Sequence, residues 1–130
     1  GAWRAVPLRQ LNMEIESLRC YCLQKKGATE DLPFGDDVLA LKVAGKMFAL
    51  IKTGSGFDRV NLKCDPALAL ELRKKHTSIT PGYHMNKIHW NTVELDGSLA
   101  DEKIFEMVNR SYDLVVKGFK KSDREWLEGV

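Results

Sequence analysis

The pattern of this chain predicts an α+β two-layer sandwich, an antiparallel sheet with helices packed on one face. Three observations predict it. Helix-period stripes stand near both ends and in the middle, and between them lie runs of strand-type alternation. The strand runs are joined by short hairpin signals, not by alternating βα units. The resulting order of helix, strands, helix, strand, helix matches a segregated two-layer design. With 130 residues, the chain suits one domain spanning its whole length, large enough to bury its own core without staples.

The first helix is expected from the cap Asn12, with Leu11, Ile15, Leu18 and Cys22 on its apolar side, Glu14 and Glu16 on its polar side, and Gly27 as its stop. After the Pro33-Phe34-Gly35 turn, VLALKV and KMFALIK read as a hairpin. A two-residue loop would force Ala44 to positive φ at about 1–2 kcal/mol, so the expected loop is Val43-Ala44-Gly45. Lys42 then opposes Lys46. That register puts Lys42, Lys46, Phe48, Leu50 and Lys52 on one face, and Leu39, Leu41, Met47, Ala49 and Ile51 on the other.

Beyond Gly54-Ser55-Gly56, RVNLKC alternates Val60, Leu62 and Cys64 against Arg59, Asn61 and Lys63. Asp65-Pro66 supplies a cap and an N1 proline for a short helix with Leu68, Ala69 and Leu72 inward and a basic last turn. Pro81-Gly82 breaks the chain before a strand around His89 to Leu95. Ser98 is the expected cap of the longest helix, whose buried stripe is Ile104, Phe105, Val108, Tyr112 and Val115 and whose end is Gly118. The charged segment 119–130 is a tail whose order the pattern leaves open.

The composition is that of a soluble globule, 44% hydrophobic and 29% charged. It has no apolar run of the roughly 20 residues that cross a bilayer. Gly1 to Pro7 has no signal-peptide pattern, and three cysteines, Cys20, Cys22 and Cys64, cannot all pair. They are read as buried thiols in a reducing, cytoplasmic setting. Cys20 and Cys22, two apart on a helix, face different ways and suit no shared metal. Net charge is only +2, but Val38 to Thr92 carries nine Lys and Arg against three carboxylates, +6, leaving −4 elsewhere. An anion-binding surface therefore belongs in the middle of the chain.

The stretch PGYHMNKIHWNTVELDG, Pro81 to Gly97, concentrates flat side chains with hydrogen-bonding tips, a composition suited to recognising something polar while excluding water. Its candidate recognition residues are Tyr83, His84, Asn86, His89, Trp90 and Asn91, joined by Phe48 from the hairpin. The bland reading sets Tyr83 and Trp90 in packing and the histidines in structural hydrogen bonds. No P-loop, dinucleotide fingerprint, GxSxG elbow or HExxH occurs, and His84 and His89 lack a nearby carboxylate. The expectation is a protein without catalytic residues, cofactor or metal.

PFG at Pro33 to Gly35, GKMFAL at Gly45 to Leu50, LKCDP at Leu62 to Pro66, the PGYHMNKIHWNTVELDG stretch, and SYDLV at Ser111 to Val115 together resemble the MmcQ/YjbR family over roughly 14–116. The resemblance implies a CyaY-like α+β fold in small cytoplasmic bacterial proteins labelled DNA-binding, and it transfers no catalytic residue. Lys25-Lys26-Gly27 departs from the proline-glycine turn frequent there. The frataxin-type fold also suggests iron, but Glu14 and Glu16 among Arg19, Lys25 and Lys26 are too few oxygen ligands.

Two readings follow. In one, Lys42, Lys46, Lys52, Arg59, Lys63 and Lys87 contact phosphates while Tyr83, His89 or Trp90 stacks on bases, giving weak, salt-sensitive DNA binding. In the other, the open sheet face docks a protein partner around Phe48 and Leu50. The same lysines also suit plain solubilisation of an exposed sheet.

Overall fold

The computed structural model describes residues 15–32, 37–54 and 57–130. The expected cap Asn12 with Leu11 and Glu14, the Pro33-Phe34-Gly35 turn, and Ser55 and Gly56 lie outside the described residues. In chain order the elements are α1 (Ile15–Leu23), β1 (Ala28–Asp31), β2 (Val38–Val43), β3 (Lys46–Lys52), β4 (Arg59–Lys63), α2 (Pro66–Lys75), β5 (Ile79–Pro81), β6 (Trp90–Glu94), α3 (Asp101–Lys117) and α4 (Lys121–Glu128). The strands form one antiparallel sheet in the order β1, β2, β3, β4, β6, β5. This is the expected α+β sandwich.

One core joins the two layers. Leu18 and Cys22 of α1, Ala69 and Leu72 of α2, and Ile104, Val108 and Val115 of α3 pack on Leu41, Val43, Ala49, Ile51, Val60, Leu62 and Val93 of the sheet. Burying each Val, Leu or Ile side chain contributes about 1.5–3 kcal/mol. Within the helical layer Tyr21 of α1 stacks on Phe105 of α3 at 4.1 Å, and between the layers Phe48 of β3 meets Tyr112 of α3 edge-on at 5.4 Å.

Helix punctuation follows local chemistry. Asp65 Oδ1 accepts from Ala67 N (3.0 Å) and Leu68 N (3.4 Å), capping α2 just before Pro66. At α3 the expectation fails: Ser98 donates its own N–H and hydroxyl to Asp96 (3.0 and 2.6 Å), forming an Asx turn that holds the Asp96 carboxyl below its usual range. Ala100 then occupies the N-cap with no side-chain bond, leaving Asp101 and Glu102 to complement the helix dipole.

The hairpin departs from its expected register. Its loop is the two-residue Ala44-Gly45, with φ of 51° and 76°, so Val43 pairs with Lys46 and Lys42 with Met47. The strain at Ala44 is accepted because this loop matches the strand twist. The next pair is Leu41 with Ala49, so Phe48 is an extra, bulged residue. Phe48 is therefore fully buried among the helices and not on the open face, Lys46 turns toward the helix side, and Met47 takes the open side instead. Ser111 of α3 fixes the bulge: its Oγ donates to Phe48 O (2.6 Å) and accepts from Lys63 N (2.8 Å).

Three elements escaped the sequence pattern. β1 and β5 are four- and three-residue edge strands, and α4 orders the charged tail. Phe119 is buried, Asp123 pairs with Lys46 at 2.9 Å, and Leu127 and Trp126 press on the α1–β1 turn. There Gly27 has φ of 71°, and an added Cβ would lie 2.9 Å from Leu127. α1 ends at Leu23, so Gly27 is not the helix stop that the pattern suggested; it serves the turn closed by Ala28 N–H on Lys25 O and is the seat of α4.

The cysteines are free, but Cys20 is exposed, which corrects the expectation that all three are buried. i and i+2 positions on a helix cannot share one buried face. Burial pushes the Cys22 thiol up to about 12 and raises Cys64 as well. Alkylation of the native protein at pH 8 is expected to label Cys20 and spare Cys22 and Cys64, as read by peptide mass spectrometry. Removing the staple with Ser111→Ala leaves Lys63 N–H and Phe48 C=O without this partner, and is expected to cost about 2–3 kcal/mol. The check is the urea midpoint.

Candidate binding cleft on the open sheet face

Alternation along β2, β3, β4 and β6 sends Val38, Met47, Leu50, Lys52, Arg59, Asn61 and Thr92 away from the helices. Part of that face is covered by the chain itself. After β5 the backbone does not turn directly into β6; it crosses over β6 and β4. Tyr83 N donates to Thr92 Oγ1 (2.9 Å), Asn61 Nδ2 donates to Tyr83 O (3.2 Å), and the Thr92 hydroxyl donates to Asn61 Oδ1. Asn61 and Thr92 are consequently buried yet satisfied.

This crossing segment is braced from within and from behind. Gly82 is required by close approach, since a Cβ there would sit 2.7 Å from Trp90 Cβ. Asn86 Oδ1 accepts from Ile88 N (2.9 Å) and His89 N (3.3 Å), Trp90 N donates to Asn86 O (2.9 Å), and Lys87 Nζ donates to Gly82 O (3.1 Å). From the helix layer, Arg73 of α2 donates Nε–H to Asn91 Oδ1 (2.7 Å) and Nη2–H to the carbonyls of Lys87 and Trp90. His84, with φ of 59°, is held in the left-handed region, uncommon for residues other than glycine although histidine enters it more readily than most.

Between this segment and the sheet lies a cleft of about 450 Å³, within the range of small-ligand sites. Val38, Met47 and Leu50 make an apolar floor, Tyr83, His84 and Met85 form a wall, and Lys52 and Arg59 close one end. A shallower hollow of about 180 Å³ continues past that end between Phe57 and Tyr83, both half exposed. By contrast, a hollow between β4 and α2 has only about 30 Å³, room for water.

The charged end is electrostatically unusual. Lys52 and Arg59 are directly paired across β3 and β4, an arrangement in which like charges repel. Arg59's other cross-strand neighbour is Glu94. Among the described residues neither cation forms an ion pair, whereas other cations of the chain do: Lys42 with Asp31 (2.8 Å), Lys46 with Asp123 (2.9 Å), and Arg19 with Glu30 (2.5 Å) and Glu16 (2.7 Å).

The structure therefore sorts the expected site residues. It brings together Lys52, Arg59, Tyr83 and His84. Lys63 shares the open face farther along β4, in register with half-buried Trp90. Lys42 is on that face but paired. Lys46 and Phe48 are on the other side, as the bulge dictates. Lys87 and Asn86 are spent on the segment's own bonds, Asn91 is buried behind it against Arg73, and His89 is exposed while its carbonyl accepts from Cys64 N (2.8 Å). Sequence reasoning missed Val38 and Met47, which lie in apolar runs indistinguishable from core, passed over Met85 among the polar and aromatic residues of the recognition stretch, and gave Arg73 no role beyond a helix C-terminus. Among the described residues no three His, Cys, Asp or Glu cluster to hold a metal ion, and no helix is long and apolar enough to cross a membrane.

The six-stranded sheet, its single helical layer and the strapped open face define the class: a small α+β sandwich with a surface cleft. A family model described as YjbR matches residues 23–114, and the chain belongs to that family. It is 37% identical over 115 residues to the "Uncharacterized protein YjbR" of Escherichia coli K12, covering 88% of this chain and 98% of that one. It is 38% identical over 93 residues to YbdF of Escherichia coli O157:H7, covering 72% and 76%. Among solved structures, Deinococcus radiodurans DR2400, a DUF419 domain, superposes with a TM-score of 0.83 at 40% identity over 91% of this chain and 90% of that one. A Pseudomonas syringae protein superposes with a TM-score of 0.69 at 31% identity over 78% and 98%.

The Arg73 clamp is separable from the core. Arg73→Ala is expected to raise amide exchange at Met85 and Trp90 at least tenfold while β3 and β4 keep their protection, the loss of charged hydrogen bonds worth about 1.5–3 kcal/mol being local. Hydrogen–deuterium exchange resolves the two regions.

Proposed function

We propose that this chain is a non-enzymatic nucleic-acid-binding protein of a reducing, cytoplasmic compartment, with its contact surface at the Lys52–Arg59 end of the open sheet face. One observation carries the reading: two cations opposite each other, outside any ion pair among the described residues, beside a half-exposed Tyr83. Such a pair is relieved by an anion, and phosphate is the anion that nucleic acid offers beside a stackable ring. Lys63 extends the stripe. Lys42 and Lys46, already paired, drop out, so the grip is narrower than the sequence implied.

The half-exposed rings of Phe57 and Tyr83 flanking the same cations support a second reading, a protein-docking surface with an apolar centre. Salt separates the two. With Lys52, Arg59 and Lys63 as phosphate contacts, log affinity for DNA against log salt is expected to slope by about −2 to −3, with micromolar or weaker binding at physiological salt. Lys52→Ala with Arg59→Ala is expected to cut that slope by roughly two-thirds, and Lys46→Ala to leave it unchanged. A slope untouched by the double variant overturns the reading, and salt-insensitive capture of a protein favours the alternative.

A further inference from the structure

The cleft behind the cationic pair says what form the nucleic acid takes. We propose that it seats one unstacked nucleotide, an aromatic base with its phosphate, so that the protein takes single strands or free nucleotides in preference to duplex. This inference rests on the nucleic-acid reading above and deepens it.

The argument is geometric. Lys52 and Arg59 lie at one end of a concave site whose floor and wall are apolar or aromatic. An anion held at that end therefore directs whatever is attached to it along Met47 and Leu50 and beneath Tyr83. A base stacked inside a duplex cannot enter a cleft in a sheet face; a base at an end or in a single strand can. The volume of about 450 Å³ greatly exceeds what phosphate alone would need. Tyr83 and His84 are themselves in ring contact, centroids 4.1 Å apart and tilted by 55°, so the wall offers two adjoining aromatic rings at an angle, of which one can stack on a base.

The polar lining points the same way. Asn61 lines the cleft from the sheet side, next to Leu50, but its side-chain carbonyl is engaged by Thr92 and one of its N–H groups by Tyr83 O. Little hydrogen-bonding capacity is left there for reading a base edge. Recognition then rests on stacking and on the phosphate, which any nucleotide supplies. His84 is held at positive φ with its ring on the wall, a conformation whose cost the fold bears at the spot where the ligand would sit.

The test uses the full chain with four probes: a short single-stranded DNA, a blunt duplex of the same length, a nucleoside monophosphate, and inorganic phosphate. The variants are Tyr83→Ala, which alters a half-exposed side chain, and Leu50→Phe, which fills the floor; thermal unfolding checks that both fold. Single strand is expected to bind at least tenfold tighter than duplex. Tyr83→Ala is expected to lose between about 5-fold and 100-fold for single strand, the range for one stacked base, with little change for duplex. Saturable competition by the monophosphate identifies a free nucleotide as sufficient; competition by strands alone identifies the polymer.

Three results overturn the inference. If duplex binds as tightly as single strand and Tyr83→Ala changes neither, while Lys52→Ala with Arg59→Ala weakens both, the nucleic-acid reading survives and the cleft is not its seat. If inorganic phosphate competes as well as the monophosphate, the base adds nothing. If no nucleic acid binds even at low salt, both readings fail together.

Discussion

The extra residue at Phe48 is the constraint on which the rest of this structure depends. Strict alternation along β3 would send Lys46, Phe48, Leu50 and Lys52 to one face. The bulge makes Phe48 and Ala49 both face the helices, so the phase reverses across it. Two consequences follow at once. A large ring enters the core against Tyr112, and Met47 joins Leu50 on the open side, where together they floor the cleft. A bulge leaves backbone groups without ladder partners, and here α3 supplies one through Ser111, whose hydroxyl bonds both β3 and β4. The longest helix thus sets the register of the strands beneath it.

The same phase reversal sorts the charges. Lys46, turned to the helix side, meets Asp123 and lies over the Phe119 ring, so the C-terminal helix is tied to the tip of the hairpin. Lys42 stays on the open side against Asp31. Exposed pairs of this kind are each worth only about 0–1 kcal/mol, so they say little about stability. Their value is in what they leave over. With these lysines neutralised, the unpaired cations of the open face among the described residues include Lys52 and Arg59, next to apolar walls that concentrate their field, and Lys63 farther along β4. A surface that looked evenly basic in one dimension becomes a short charged end on a greasy slot.

Much of the architecture was legible because local chemistry and tertiary demand agree there. Asp65-Pro66 marks the start of α2, Gly118 ends α3, and the alternation of RVNLKC gives β4 its two faces. Where they conflict, reading failed for identifiable reasons. Ala44 is a poor residue for positive φ, so propensity argued against the tight turn that the sheet's twist imposed. Ser98 looked like a cap, but Asp96 two residues earlier captured its donors. β1 and β5 are too short and polar to show a period, and α4 has no buried residue among the described ones, only partly buried Leu127 and Asp123 resting on Gly27 and Lys46. Of the cleft, the cations and aromatics were visible by composition. Of the floor, Leu50 was placed on the open face, but Met47 was not, because its side depends on a single residue of register.

The crossing segment shows how an irregular stretch can still be a rigid part of a site. Its polar groups are mostly spent internally or on Arg73, which grips it from the side facing away from the cleft. Tyr83 is fixed through its backbone, by Thr92 on one side and Asn61 on the other, so the bonds that hold the segment do not occupy the ring. Such division of labour matters for binding, since a wall already ordered loses little conformational entropy when a ligand arrives. Bracing from the helix layer also gives the cleft a route to the core that bypasses the sheet. Arg73 belongs to α2, α2 packs through Ala69 and Leu72 into the shared core, and the side chain of Asn91, which receives Arg73, also reaches Ala69 O. The position of the aromatic wall is therefore set by the same packing that stabilises the fold.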